Sequence, residues 1–346
     1  GLILTVSRGA WAAVAAVGSL WIVGRALGAL WRRNRRLGIG AVAILSAVGL
    51  TAVAAAARRA PALDALPLIG DRVWLVRTGL PLARAVPFTG VGLGTFMMQY
   101  STYSLLIHVG FLPHSHNMLL DLAIEQGVAG ALAYVALVLT GLIWGLRALR
   151  EASGTRAVVL RAALAALGVG LLHGVVDDVL YGTHALLLLL VPFGLLVSAA
   201  REPRPPEARS RAATGAFALG GTLTLAVLLV GFLILGLIAG PNGIRAAWYA
   251  NRGAVAQARL VLGAYDPERR RPSLVTLRRE LDLSPALAHF RRALAHDPAE
   301  PTARQRMAMI ALDRRQFDAA LTGMAALWQA GHRDRVTRLL YGDALV

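Results

Sequence analysis

Apolar residues run along this chain in long unbroken stretches, not in the alternation of a half-buried strand. The stretches near 10–30, 37–57, 118–146, 157–176, 182–200 and 213–239 each approach the ~20 residues that cross hydrocarbon as a helix. In lipid, a continuous apolar segment satisfies its own backbone only by coiling. The pattern therefore predicts an all-α, polytopic helical membrane protein with six spans. An apolar stub, Gly1 to Val6, precedes the first span and reads as the tail of another helix. With Val346 ending without a tail, the chain reads as a fragment at both ends.

The pattern changes after Gly240-Pro241-Asn242-Gly243. Residues 245–346 are rich in Ala, Arg and Asp and amphipathic, which predicts soluble helices. Two regions follow: a transmembrane domain over 1–240 with a long outer loop at 58–117, and a helical region over 241–346. Ala286, Phe290, Ala293 and Pro298 stand at the offsets of the second helix of a tetratricopeptide repeat. Thirty-four residues on, Ala320 falls at the position of Ala286. Such repeats are docking surfaces for protein partners; a generic helical hairpin is the plainer alternative.

Composition refines the picture. The chain is 56% hydrophobic and 16% charged, far from a soluble domain. It carries 36 basic residues, all Arg, and a net charge of +17. Nucleic-acid binding is not expected, because the arginines gather at the ends of the apolar runs. Arg32, Arg33, Arg35 and Arg36 form one cluster; Arg147, Arg150 and Arg156 a second; Arg201, Arg204, Arg209 and Arg211 a third. With six spans, all three clusters lie on one side, which the positive-inside rule makes cytoplasmic. The opposite, extracytoplasmic side then carries Arg8, the loop 58–117, the segment His173 to Tyr181 and the C-terminal region. There are no cysteines, so thiolate chemistry and disulfides are excluded.

On that outer side stand the candidate groups. His116-Asn117 opens the third span, where a titratable imidazole is costly to keep. Asn117 equally reads as an ordinary N-cap for a helix beginning at Met118. Arg8, in Ser7-Arg8-Gly9, is either an interfacial anchor or a cation for a phosphate group. Arg72 is either paired with Asp71 or a second phosphate ligand. Gly90-Val-Gly-Leu-Gly94 lacks the strand before and the helix after that a nucleotide loop needs, and reads as a tight turn. Glu125 and Asp177 are possible supporting carboxylates. His114 and His116 look like half a metal site, but no third ligand stands at convincing spacing, so neither metal nor cofactor is expected.

Together these pieces resemble the O-antigen ligase and Wzy polymerase family. Ser7-Arg8-Gly9 resembles its Ser-Arg-Gly, Arg72 ahead of Gly90-Val-Gly-Leu-Gly-Thr-Phe its second Arg, and His116-Asn117 with Gly127 and Gly130 its His-(Asn/Ser/Gln)-x9-Gly-x-x-Gly. The resemblance spans roughly 1–200. It implies a GT-C-like, metal-independent, inverting glycosyltransferase at the outer face of the bacterial cytoplasmic (inner) membrane. The donor would be a glycan on undecaprenyl diphosphate and the acceptor a hydroxyl on a lipid or glycan. His116 would be catalytic and Arg8 and Arg72 would hold the diphosphate, the three bordering one outward cavity. Two other classes stay open: a small-solute or bicarbonate transporter, and an inactive membrane scaffold displaying repeats.

Overall fold

The computed structural model describes residues 8–37, 39, 67–107, 112–178, 184–200, 206–264 and 274–346. Every element among them is helical, and the protein is an all-α membrane protein. Three described helices are long and apolar enough to cross a bilayer: Gly9–Arg33, Met118–Arg150 and Gly154–Gly174. They coincide with three of the expected spans. Their apolar side chains lie largely open; Leu20, Trp21 and Ile22 of the first are all exposed. An exposed helix that is apolar all round is at rest only in lipid. Arg25, inside this span, sets its guanidinium over the Trp21 ring at 5.2 Å, which shelters the charge.

Three expectations meet different outcomes. The span at 37–57 falls almost wholly outside the described residues. The apolar run at 182–200 is not one helix: a 3₁₀ turn, His184–Leu189, meets a short helix, Val191–Ala200, at Leu190. Pro192 explains the break, since it has no N–H to continue a ladder from the preceding turn. The segment 58–117, read as a loop, contains a 19-residue helix, Pro67–Ala85. Pro67 starts it, where a missing N–H costs nothing. Pro81 lies inside it.

The elements used below are α1 (Arg8–Arg33), α2 (Pro67–Ala85), α3 (Phe96–Tyr100), α4 (Met118–Arg150), α5 (Gly154–Gly174), α6 (Val191–Ala200) and α7 (Pro206–Gly263). They continue with α8 (Leu274–Glu280), α9 (Ser284–His296), α10 (Pro301–Asp313), α11 (Phe317–Gln329) and α12 (Arg335–Leu345). The chain forms two compact units, one of 1–75 with 138–216, the other of 76–137 with 217–346.

In the first unit Leu160, Ala163 and Leu167 of α5 pack with Leu196 of α6. Small residues let the helices close up. A side chain at Gly145 would meet Leu164 and Leu196 within 2.8 Å. Arg156, at the first turn of α5, donates through Nε to the Ala199 carbonyl at 2.8 Å, which ties that end of α5 to the end of α6.

In the second unit α7 is broken at Gly240 (φ 65°), and Pro241 starts its second stretch. That stretch buries Ala250, Ala254 and Val261 against Ala286, Phe290 and Ala293 of α9, together with Ala85 and Val86. Phe290 is fully buried, worth about 2–3 kcal/mol of apolar transfer. Burial recurs with the repeat period: Ala286 and Ala320, Phe290 and Met324, Ala293 and Leu327 are all inaccessible.

Glu300 caps α10, accepting from the Ala303 N–H at 2.5 Å. Burial pushes its carboxyl up from 4.5 to about 7, against the opposing pull of its backbone hydrogen bonds. The folded state thus holds this proton more tightly than the unfolded chain. The stabilisation is complete below pH 4.5, is lost as pH rises to about 7, and is flat above. Glu300→Gln keeps a capping oxygen and removes the titration. It should abolish a pH-dependent component of roughly 3 kcal/mol between those limits, read from thermal unfolding in detergent followed by circular dichroism. Equal slopes in the two proteins would refute the assignment.

Candidate functional site

His116 sits in a short knot before α4. Ser115 is fully buried, and its N–H donates to both Asp121 carboxylate oxygens at 3.0 and 3.1 Å. Its hydroxyl donates to the Asn117 carbonyl at 3.0 Å and accepts from the Asn117 N–H at 3.1 Å. Asn117 accepts from the Leu120 N–H through Oδ1 at 2.9 Å, which is an N-cap bond. Between these anchors His116 is forced into the left-handed region at φ 57°, which histidine tolerates better than branched residues do. Its ring stands edge-on to His114, centroids 4.3 Å apart, and stays partly accessible. The knot aims the imidazole; Asp121, absent from the sequence reading, is its keystone. The one available signal was an acidic residue in the first helical turn.

Between two and three helical turns further on, α4 is interrupted. Gly127 takes φ 77° and ψ 173°, which only glycine adopts readily. The interruption frees carbonyls that a regular helix would use. Ile124 and Glu125 accept instead from the Val91 and Gly92 N–H groups, both at 3.0 Å, and the Val128 N–H donates to the Pro87 carbonyl at 2.8 Å. The Glu125 side chain, 5% exposed, accepts from the Gly94 N–H at 2.9 Å and the Phe96 N–H at 3.0 Å. The loop Val86 to Thr95 is thereby stitched to α4 by its backbone. Gly90 has no room for a side chain, since a Cβ there would lie 2.2 Å from the Glu125 carbonyl group. Glu125 is thus a backbone clamp, and two motifs thirty residues apart form one rigid body.

The same loop is held from its other side. Asn251 of α7 accepts from the Phe88 N–H at 3.1 Å and donates to the Thr89 hydroxyl at 2.8 Å. Asn251 is buried among alanines. Nothing local marks it in the sequence, because its partners lie more than 160 residues away.

The first unit holds the other candidates. Arg72 pairs with Asp177 (Nη1 to Oδ1, 3.5 Å), not with its neighbour Asp71, which points to solvent. The Arg72 side chain remains 39% exposed and that of Asp177 17%. Asp177 is fixed by its N–H to the His173 carbonyl at 2.8 Å, and its Oδ1 also accepts from the Asp178 N–H at 2.9 Å. Gly9 packs on the same segment: a Cβ there would touch Val176 at 3.2 Å and His173 at 3.4 Å. The start of α1, the end of α5 and Arg72 therefore form one contiguous corner. Ser7 lies outside the described residues, and Arg8 is described only as the first helical residue of α1, its side chain lying outside them.

Several of these residues stand in a stretch with a recognisable counterpart. Residues 1–135 match the O-antigen ligase family model. No curated protein and no solved structure matches the chain. The O-antigen ligase stretch contains Arg8, Arg72, the 90–94 loop, His116 and the glycine break of α4. It ends inside α4, so Asp177, Asn251 and the whole C-terminal helical region lie beyond it. The match supports the family resemblance carried by the motifs and a ligase or polymerase type of membrane enzyme acting on lipid-linked glycan.

Proposed function

We propose that this protein is a membrane glycosyltransferase that moves a glycan from undecaprenyl diphosphate to a hydroxyl on a lipid or glycan acceptor. It works at the outer face of the inner membrane. The acceptor oxygen attacks the anomeric carbon as the bond to the diphosphate oxygen breaks, inverting that centre. The hydroxyl proton passes to His116, and undecaprenyl diphosphate departs with its charge held by Arg8 and Arg72. Guanidinium groups stand in for a metal because the leaving group is already a stable anion. Asp177 positions Arg72 by one edge of its planar fork and leaves the other for phosphate. Asn117 caps the helix that follows the imidazole, and Glu125 clamps the 86–95 loop to α4. The helices of 241–346 are a repeat-like docking region on the same extracytoplasmic side.

The observation that carries this reading is the position of His116. It lies within the O-antigen ligase stretch, in a strained conformation fixed by the Ser115–Asp121 knot, with its ring still accessible. A histidine needed only for packing has no use for that arrangement. A transporter would place ionisable groups at mid-span; the candidates here stand at helix ends.

The test is a strain lacking the protein, complemented with the intact form or with Arg72→Ala, and profiled for surface glycan. Arg72→Ala should fail to restore the long glycan while accumulating at wild-type level in the membrane. Transfer by the purified enzyme should also persist in EDTA. Full rescue by Arg72→Ala would defeat the diphosphate role, and loss of transfer in EDTA would defeat metal independence.

A further inference from the structure

The second stretch of α7 has two faces. One is the alanine face buried on α9. The other carries Arg245, Arg252 and Arg259 at seven-residue intervals, all exposed. Seven residues of helix advance about 10.5 Å and return to nearly the same side, so the three guanidiniums form a row. The row runs beside two concavities, of about 600 Å³ around Arg245 and Trp248 and about 320 Å³ around Arg252 and Arg259. The loop 88–92 forms one wall and α9 the other, through His289 and His296. The hydrogen bonds of Asn251 to Phe88 and Thr89 fix the loop across α7 and so set the width.

Three features describe the occupant. The lining is cationic, with no acidic side chain among the described residues of either concavity. Burial, and then Arg252 and Arg292, push the His289 imidazole down, which favours its neutral form. Aromatic rings gather at one end. Trp248 is exposed and stands edge-on to Phe88 at 5.4 Å, and Tyr249 stacks on His296 at 5.5 Å. Flat rings beside spaced cations suit a chain with apolar faces and regularly placed negative groups. The spacing of the arginines is comparable with the length of a disaccharide. A bilayer surface is flat and would not enter a trough.

We propose that this trough binds an anionic polysaccharide bearing carboxylate or phosphate groups, held along α7 as the chain that the transferase extends or transfers. The choice of a glycan rests on the function proposed above; the charge and shape do not. The trough wall is the loop that Glu125 clamps to α4, so a bound chain would lie against the same rigid body that carries His116.

The experiment uses the full chain in phosphatidylcholine nanodiscs, titrated with fluorescent oligogalacturonate and read by anisotropy. Binding should weaken with salt. Arg252→Gln with Arg259→Gln should lower affinity roughly tenfold, Trp248→Ala several-fold, and Arg291→Gln, which lies outside the trough, by less than about twofold. A neutral dextran oligomer should not compete. Unchanged affinity in the double variant overturns the proposal, as does equal or tighter binding of an oligodeoxythymidylate. Strong quenching of the Trp248 contribution by brominated lipid chains also overturns it, since the trough would then face hydrocarbon. Binding is read without turnover and also in His116→Ala. Absence of transfer by the intact protein, with binding retained, sinks the glycosyltransferase reading and leaves the trough. Absence of binding in a transfer-competent protein sinks the trough alone.

Discussion

His116→Ala should lower glycan transfer by about 10²–10⁴-fold, the usual contribution of a positioned proton acceptor. Donor binding should survive, because the proposed diphosphate ligands are arginines on other elements. Alanine alone leaves an ambiguity, since His116 also occupies a left-handed backbone position at the start of α4. His116→Asn resolves it. Asparagine accepts the left-handed region at least as well as histidine and retains polar contacts, but takes no proton near neutrality. Both variants should be folded and both should fall by similar factors in turnover with lipid-linked donor. Activity within a few-fold of wild type in His116→Asn would make His116 a backbone element and end its catalytic assignment. Asp121→Asn should give a milder loss, because it loosens the knot without removing the imidazole.

Asp313→Ala should destabilise the C-terminal helices by about 3–5 kcal/mol, the range for removing one partner of a buried pair. Arg278 is 3% exposed and its guanidinium closes on the Asp313 carboxylate through a short Nε contact and a second bond from Nη2 at 3.4 Å. Arg279 adds a bond to the Asp313 carbonyl at 2.8 Å. Close by in charge coupling, Arg306 is also buried and lies over the Tyr103 ring, 3.3 Å from its centroid. Burial pushes the Arg306 guanidinium down to about 10 and pushes the Tyr103 phenol up, so at neutral pH one stays charged and the other neutral. Without Asp313 two guanidiniums would share a dry interior with no carboxylate against Arg278. The thermal transition followed by circular dichroism should drop sharply, and replacing Arg278 with Met in the same chain should recover most of the loss. An unchanged transition in Asp313→Ala would show that water reaches the cluster.

Much of the architecture is local and therefore readable along the chain. A run of ~20 apolar residues has one stable form in lipid, so three described spans lie where the pattern put them. Asn117 caps α4 because a short side chain before an apolar helix has a donor within reach. The thirty-four-residue recurrence of buried small residues in α9 and α11 was visible from Ala286 and Ala320. Gly127 stood out as a motif residue, although its work as a helix break was not evident, since glycine itself carries no sign of its φ.

What the tertiary structure alone decided is who meets whom. Arg72 had Asp71 beside it in sequence, yet adjacent residues on a helix point apart, and the partner came from Asp177, a hundred residues on. Glu125 read as an isolated carboxylate until the interrupted α4 brought the amides of Gly94 and Phe96 to it. Asn251, inside an alanine-rich helix, and Arg278, on the short α8, are buried polar residues, and periodicity records only that a face is apolar, not which distant group fills its one polar gap. Hydrophobic pattern is a property of each segment and survives any rearrangement of the others. Hydrogen-bond and charge partners are a property of the packed chain, because a polar side chain is buried only where another element supplies its complement.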